Sequence, residues 1–379
     1  MARVRTKDYG EQYRRLWAEL GPELERVFHE EDPVLGAPVA RFEASLARYH
    51  GVAHAVGMGS GTDALVCMVR GLGLGPGDEV VTGAHTFAGV VSALVQAGVE
   101  PVLVDAAPGS MLVDAPAVER ALSPRTRAVL AVHMYGEPVE LDPLQALCRA
   151  RGLILLEDAA QAHGARYRGR AVGGAGEAAA LSFHPSKNLG AFGDGGAVLT
   201  SSDALAQRLR IDRNLGKDGK YRFAAIAPNS KLDTLQAAIL EVKLRHLDAW
   251  VARRRALAAR YLAGLAGVGD LMLPGGRPES EHAYHLFVVR TARRDALREH
   301  LAARDIQTGL HYPIAAARQP ALAARFDGAE FPVADELART VLSLPLSHEH
   351  GDEEIDAVID GVRAFFASPG RGGAPGGAV

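Results

Sequence analysis

From Val52 to Ile211, short apolar runs alternate with stretches whose apolar residues recur every three or four positions. The runs fall at residues 53–56, 79–82, 101–104, 128–132, 153–156, 180–183 and 197–200. Runs this short suit strands buried on both faces, and the helical stretches between them suit crossovers. The pattern predicts an α/β protein with a mostly parallel sheet flanked by helices. Ahead of it, Tyr13, Leu16, Leu20, Leu24 and Val27 mark a helix over residues 11–30. A second long helix is predicted from Ser230, with Leu232, Leu235, Ile239 and Val242 on one face. Ser230-x-x-Asp233 reads as its capping box. After Gly267 the pattern changes. Residues 285–289 and 341–344 read as strands, and 293–303 and 353–366 as helices. A large domain over 1–245 and a smaller α+β domain over 246–367 follow, and the Gly/Pro-rich tail 368–379 is expected to be disordered.

Composition narrows the class. A chain of 379 residues suits a large domain plus a smaller one, and a net charge of −3 gives no basic excess that would seek nucleic acid. Cys67 and Cys148 are too few for a disulfide framework or a zinc site, so no metal is expected and a reducing cytoplasm fits. No stretch approaches the roughly 18 apolar residues of a membrane span. The opening M-A-R-V-R-T-K-D-Y-G lacks the apolar core of a signal peptide. The expectation is a cytoplasmic protein with neither nucleic-acid nor membrane partners.

The candidate chemistry gathers at strand ends. The run 153–156 closes on Glu157-Asp158, and in an open α/β sheet ligands bind beyond the carboxyl ends of the strands. The run 180–183 delivers Lys187 in a loop of small and turn-forming residues. One acid at a strand end and one lysine in a tight loop suggest a pyridoxal phosphate site. The lysine amine would join the cofactor aldehyde, and the acid would keep the pyridine nitrogen protonated. Gln161 is placed to meet the ring's phenolic oxygen and Ser182 the phosphate. The plainer alternative makes Asp158 a turn cap and Lys187 a surface lysine. Gly59-Ser60-Gly61-Thr62-Asp63-Ala64-Leu65 follows a strand and opens a helix, where free N–H groups and the helix dipole favour a phosphate. Ser60 and Asp63 alternatively form a capping box with no ligand.

Two long motifs, E-D-A-A-Q-A-H-G-A over 157–165 and S-F-H-P-S-K-N-L-G-A-F-G-D-G-G-A-V over 182–198, resemble the DegT/StrS sugar aminotransferases, fold-type I pyridoxal phosphate enzymes. G-S-G-T-D-A-L, G-D-E-V-V-T, H-T-F, H-M-Y-G, N-S-K-L-D-T-L-Q-A-A-I-L and Y-H-L-F-V-V-R extend the resemblance from about Leu35 to about Phe366. It implies an aspartate aminotransferase-like fold, a pyridoxal phosphate cofactor that alternates with pyridoxamine phosphate, and a homodimer with shared active sites. Lys187 and Asp158 would be catalytic. Gly61, Thr62 and Ser182 would hold the phosphate, Phe87 would stack on the ring, and Gln161 would meet its oxygen. Asn229 would reach the phosphate of the neighbouring subunit. His184, His311 and Tyr312 would line the sugar pocket, and Lys217, Lys220 or Arg222 would meet a nucleotide pyrophosphate. The stretch 30–39, E-E-D-P-V-L-G-A-P-V, departs from the family pattern.

The segment after the lysine resembles the branch acting on 3-keto sugars carried by a nucleoside diphosphate. The implied reaction moves an amino group from an amino acid, L-glutamate first among them, to a dTDP-3-keto-6-deoxyhexose in amino-sugar and antibiotic biosynthesis. A 4-keto sugar, a cyclitol ketone or a non-catalytic cofactor-binding regulator are the alternatives. Family dehydratases carry histidine in place of the lysine; here the residue is Lys187.

Overall fold

In chain order the strands are β1 (His54–Met58), β2 (Glu79–Gly83), β3 (Glu100–Val104), β4 (Thr126–Val132), β5 (Ile154–Asp158), the short β6 (Arg166–Tyr167) and β7 (Arg170–Ala171), β8 (Ala178–Ser182), β9 (Gly196–Thr200), the short β10 (Ser280–Glu281), β11 (Phe287–Arg290) and β12 (Val341–Leu344). This is a computed structural model that describes residues 3–367. The expected tail 368–379 lies outside the described residues. Seven strands form the main sheet in the order β1-β9-β8-β5-β4-β2-β3. From β3 across to β8 every neighbouring pair is parallel, while β9 runs antiparallel to both β8 and β1. Each run read from the sequence is a strand here, displaced by a residue or two at its ends. β2, β8 and β9 are buried along their whole length, which explains their unbroken apolar character.

One sequence expectation is corrected. The helix predicted from Ser230 begins at Thr234, and Asp233 stands at its N-cap without a side-chain cap bond. Ser230 is spent elsewhere. Its hydroxyl donates to Asp63 Oδ2 at 2.8 Å and accepts from Gly59 N–H at 3.0 Å. A hydroxyl already engaged by the 59–63 turn has nothing left to cap its own helix. The other predicted box is half made. Ser60 caps helix Gly61–Gly71 by accepting from Asp63 N–H at 3.0 Å, but the Asp63 carboxylate turns to Ser230 instead of back to Ser60.

The smaller unit pairs β11 with β12 and packs helices Arg294–Ala302, Asp352–Ala367 and the later turns of Leu247–Leu265 around them. Its core contains Leu257, Tyr261, Phe287, Leu342 and Ile355, and Val4 from the far end of the chain joins it. Val4 bridges Ile306 as a parallel partner. Residues of 315–338 cross back to pack on Ala84 just past β2, Leu103 of the edge strand β3, and Val91 of the helix Ala88–Ala97 between them. No described helix is long and apolar enough to cross a membrane.

Candidate active site

The carboxyl rim of the sheet is built by register. Val132 at the end of β4 lies opposite Asp158 at the end of β5, and Asp158 lies opposite Ala180 in β8. β8 runs two residues further to Ser182, and the chain then turns through His184 and Lys187 before returning as β9. A cavity of about 340 Å³ opens over these ends. Asp158 and Lys187 both line it, although they are far apart in the sequence.

Asp158 is almost wholly buried, and its Oδ1 accepts from Ala160 N–H at 2.9 Å. Burial pushes its carboxyl above the usual aspartate value; the Ala160 amide, Lys187 and His133 pull against that. Lys187 is pushed down from 10.5 to about 8 by burial, with Asp158 opposing the shift. The pair thus holds an acid and a base that each give up charge more readily than in water. A lysine so shifted supplies free amine near neutral pH, which carbonyl chemistry requires.

On the opposite wall, helix Gly61–Gly71 points its first turn at the cavity, where the leading N–H groups of a helix have no internal partner. Gly61 approaches Ser182 so closely that an added Cβ would fall 2.6 Å from the Ser182 Cβ. Gly196 is under the same constraint against the Ser60 carbonyl. Two glycines at such contacts let the helix start close on the ends of β8 and β9, a cradle of free N–H groups with the Ser182 hydroxyl beside it. Phe87 stands at the mouth, 49% exposed, its ring centroid 5.4 Å from that of Tyr312. Gln161 accepts from Tyr135 N–H at 2.7 Å and donates to Tyr312 Oη at 3.3 Å, leaving a second N–H to offer the cavity.

The structure thus brings Gly61, Thr62, Phe87, Asp158, Gln161 and Ser182 to one cavity with Lys187, His184 and Tyr312. His184 Nδ1 accepts from Ser186 N–H at 3.2 Å, and burial lowers its pKa. Five other residues named from the sequence do not line this cavity. His311 turns its ring to Ser343 of β12, with Nδ1 2.8 Å from Oγ, and gives the site only its carbonyl, which accepts from Tyr135 Oη. Lys217 lies over the Phe223 ring, Lys220 over the Tyr221 ring, and Arg222 pairs with Asp218 at 2.8 Å. Asn229 is exposed and accepts from Lys231. Each is satisfied locally, so nothing within one chain draws it inward.

Two residues not singled out from the sequence stand behind Asp158. His133 lines the cavity, and its N–H donates to the Asp158 carbonyl at 3.0 Å. Its ring meets Glu157, and both side chains are fully buried. Tyr135 holds φ at 60° in the next turn, a left-handed conformation that aims its N–H at Gln161. The sequence signal was present: His133 follows the apolar run 128–132 as Asp158 follows 153–156.

Taken together, the donor set suits a planar phosphate ester that carries an aldehyde and a basic ring nitrogen. Amides and a hydroxyl face one end, a buried carboxylate another, and a lowered-pKa amine lies between. That is the chemistry of pyridoxal phosphate.

The comparisons with known proteins agree. The model of the DegT/DnrJ/EryC1/StrS aminotransferase family matches residues 18–363. A dTDP-3-amino-3,4,6-trideoxy-alpha-D-glucose transaminase of Streptomyces venezuelae is 47% identical over 364 residues, covering 96% of each chain. The erythromycin biosynthesis sensory transduction protein EryC1 of Saccharopolyspora erythraea is 45% identical over 85% of this chain and 88% of its own. Among solved structures, S. venezuelae DesV in complex with a ketimine intermediate superposes with a TM-score of 0.95 at 46% identity, over 98% of this chain and all of that one. The fold, the strand-end lysine and acid, and a match over nearly the whole length converge: the chain belongs to the DegT/DnrJ/EryC1/StrS aminotransferase family.

Proposed function

We propose that the protein is a pyridoxal phosphate-dependent aminotransferase. It moves an amino group from an amino acid, L-glutamate first among them, to a dTDP-linked 3-keto-6-deoxyhexose in amino-sugar biosynthesis. The observation that carries this reading is the meeting of Lys187 and Asp158 at one cavity beside the Gly61–Ser182 cradle. The nearly full-length similarity to the Streptomyces venezuelae transaminase supports the sugar class.

When bound, pyridoxal phosphate supplies a ring that accepts the electron pair left as the α-proton departs. The chain's own residues do the rest. Lys187 would hold the cofactor through its amine and, when that amine is free, would take and return the substrate's proton. Its value near 8 leaves it ready to accept that proton. Asp158 would face the ring nitrogen and hold its proton there, with the Ala160 amide, Lys187 and His133 opposing the upward push of burial on its carboxyl. The amides of Gly61 and Thr62 and the hydroxyl of Ser182 hold the phosphate. Phe87 covers the ring, and Gln161 offers its second N–H to the ring oxygen. His184 and Tyr312 face the substrate side.

Among the described residues, the cavity of one chain is lined by no lysine or arginine for a nucleotide pyrophosphate other than Lys187. A second copy of the chain meets that need in this reading. The loop 214–229 carries Lys217, Lys220, Arg222 and Asn229 and also exposes Tyr221, Phe223 and Ile226. Bulky apolar residues bared beside cations that meet only their own loop mark a surface that another molecule covers. We infer a homodimer in which this loop completes the partner's site.

The test is a two-stage spectral assay. Glutamate should convert the loaded protein to its pyridoxamine form, and a dTDP-3-keto-6-deoxyhexose should return it. Return by a 4-keto sugar or a cyclitol ketone alone would move the substrate class and leave the reaction type standing. One relative bears the name of a sensory transduction protein, so a regulator is the second reading. A spectrum unmoved by glutamate and every other amino donor would favour it.

A further inference from the structure

Two lysines lie behind the loop that carries Lys187. Lys7 Nζ donates to the Lys187 carbonyl at 2.9 Å. Lys243 Nζ donates to the Gly190 carbonyl at 2.7 Å and to Tyr13 Oη at 3.3 Å. Lys243 is fully buried, and burial takes it from 10.5 to about 8. Burial, and then Arg254, hold Lys7 well below its usual value. Arg254, Glu349, Lys243 and Lys187 are the charged groups that act on Lys7. Among the described residues neither lysine has a carboxylate in ion-pair contact, so Glu349 answers them only through space.

Burying an amine that prefers charge costs several kcal/mol. Lys243 is such an amine, Lys7 stands half-buried beside it, and two amines behind one loop call for something that they hold. The loop has no ladder of its own to hold its carbonyls. Its internal bonds run from Lys187 N–H to His184 and from Ala191 N–H to Phe183, which leaves the carbonyls of Lys187 and Gly190 to outside donors. The two lysines are those donors. Nζ–H donates whether the group is charged or neutral, so the contact survives the lowered pKa.

Lys7 also has an anchor of its own. Its segment is strung along the smaller unit: Val4 N–H donates to the Asp305 carbonyl at 3.0 Å, and Gln307 N–H donates to the Val4 carbonyl at 2.9 Å. The Arg5 carbonyl accepts from His350 at 2.8 Å. Lys7 thus carries a direct hydrogen bond from a segment bridged to the smaller unit at Val4 to the backbone of Lys187.

We propose that Lys7 is a positioning residue: by fixing the carbonyl of Lys187 it sets the aim of the Lys187 amine, with Lys243 as the second anchor at Gly190. The proposal rests on the reading of Lys187 as the cofactor lysine. It gives the chain's N-terminal segment a part in the chemistry, because any shift of the small unit passes through Lys7 to the reacting nitrogen.

The test uses full-length protein loaded with pyridoxal phosphate, in the wild type and in Lys7→Met, Lys7→Gln and Lys7→Arg. The first readout is the pH midpoint of the absorbance of the Lys187-bound cofactor, which reports how the nitrogen lies against the ring. The second is the split between kcat and KM for glutamate. Lys7→Met should move the midpoint by about half a unit or more. It should lower kcat about tenfold while KM for glutamate stays within about twofold, the sign of a lost transition-state alignment. Lys7→Arg, which still donates to the carbonyl, should recover most of both. A wild-type midpoint and kcat in Lys7→Met overturn the proposal, and so does a loss that only tracks the fraction of folded protein. If Lys7→Met does not fold, Lys7→Leu is judged by the same two measurements and the same criteria, and Lys7→Gln, whose amide still donates, should fall between Met and Arg. Borohydride labelling of wild-type Lys187 separates the two readings. No label there means that the cofactor assignment has failed; normal labelling with an indifferent Lys7 variant removes the positioning role alone.

Discussion

His133 Nε2 and Glu157 Oε2 stand 3.0 Å apart, and neither side chain has any surface in contact with solvent. Val139 N–H donates to His133 Nδ1 at 3.1 Å, so the ring proton sits on Nε2 and points at the carboxylate. Glu157 also accepts from the N–H groups of Gly173, Ala175 and Gly176, each at 2.8 Å. Burial pushes this carboxyl up, but His133 and the glycine amides outweigh it and hold the pKa below the ordinary value. Through the main chain, the pair fixes the strand end from which Asp158 projects.

Glu157→Gln removes a buried, fully bonded charge, and the expected cost is about 3–5 kcal/mol of stability, read by denaturant unfolding. The sign with pH is determined. A glutamate held below its unfolded value stabilises above that value, and the gain is lost as pH falls through the folded pKa. The gap between wild type and variant should therefore hold down to about pH 4.5 and narrow only below it. A gap already closing at pH 7 would contradict this account.

Lys187 should be about one-tenth free amine at pH 7 for a value near 8. Uptake of pyridoxal phosphate by cofactor-free protein should accelerate as pH rises through 8 and then level off. Borohydride should fix the label on the peptide containing Lys187. Label on a different lysine, Lys7 included, would sink the assignment.

Asp158→Asn keeps the shape of the strand end and removes the anion. Cofactor should remain bound, while the glutamate half-reaction slows on the order of a hundredfold, about 2.7 kcal/mol of barrier. Stopped-flow absorbance measures it. A near-normal rate would assign the proton on the ring nitrogen to another group.

Gly61→Ala places a methyl 2.6 Å from the Ser182 Cβ, inside any real carbon–carbon contact. The helix start or β8 must give way, and the amide cradle opens with it. Equilibrium dialysis should show pyridoxal phosphate held at least about tenfold more weakly, roughly 1.4 kcal/mol. Unchanged affinity would place the phosphate elsewhere.

Complementation tests the shared site. Lys187→Ala and Asn229→Asp should each be poor as homodimers, the second because a carboxylate repels the phosphate. A mixed dimer would carry one doubly damaged site and one built from wild-type residues, so refolding the two together should restore activity. Mixed dimers verified by mass but still inactive would mean that Asn229 serves its own chain or none.

Much of the fold was legible because a buried parallel strand has to be an unbroken apolar run, and β2, β8 and β9 are such runs. The proposed catalytic pair was legible from runs of the same kind: Asp158 ends β5, and Lys187 lies in the loop that follows β8. What failed was local hydrogen bonding. Ser230 and Asp233 have the spacing of a cap, and only the fold shows that the Ser230 hydroxyl is taken by Gly59 and Asp63. His311 reads as a pocket residue beside Tyr312, yet Ser343 of a distant strand claims its ring. His133 was passed over because its partner, Glu157, lies beyond an entire crossover helix. Contacts of that range leave no spacing in the chain to read.

The single antiparallel neighbour of β8 settles where the lysine can go. Because β9 returns beside β8, with Ser182 opposite Gly196, the chain between them leaves and re-enters at one edge. A parallel successor would have had to start from the far edge of the sheet, at the end of a long crossover. Residues 183–195 instead form a short closed ring, and the entropy of joining its ends is already met by the β-pairing beneath it. A residue on such a ring has little slack. It follows that Lys187, in its proposed role, would stay within reach whether or not it holds the cofactor, and that the vacant protein should keep a nearly finished reaction chamber, visible as hydrogen exchange in 183–195 that differs little with and without pyridoxal phosphate.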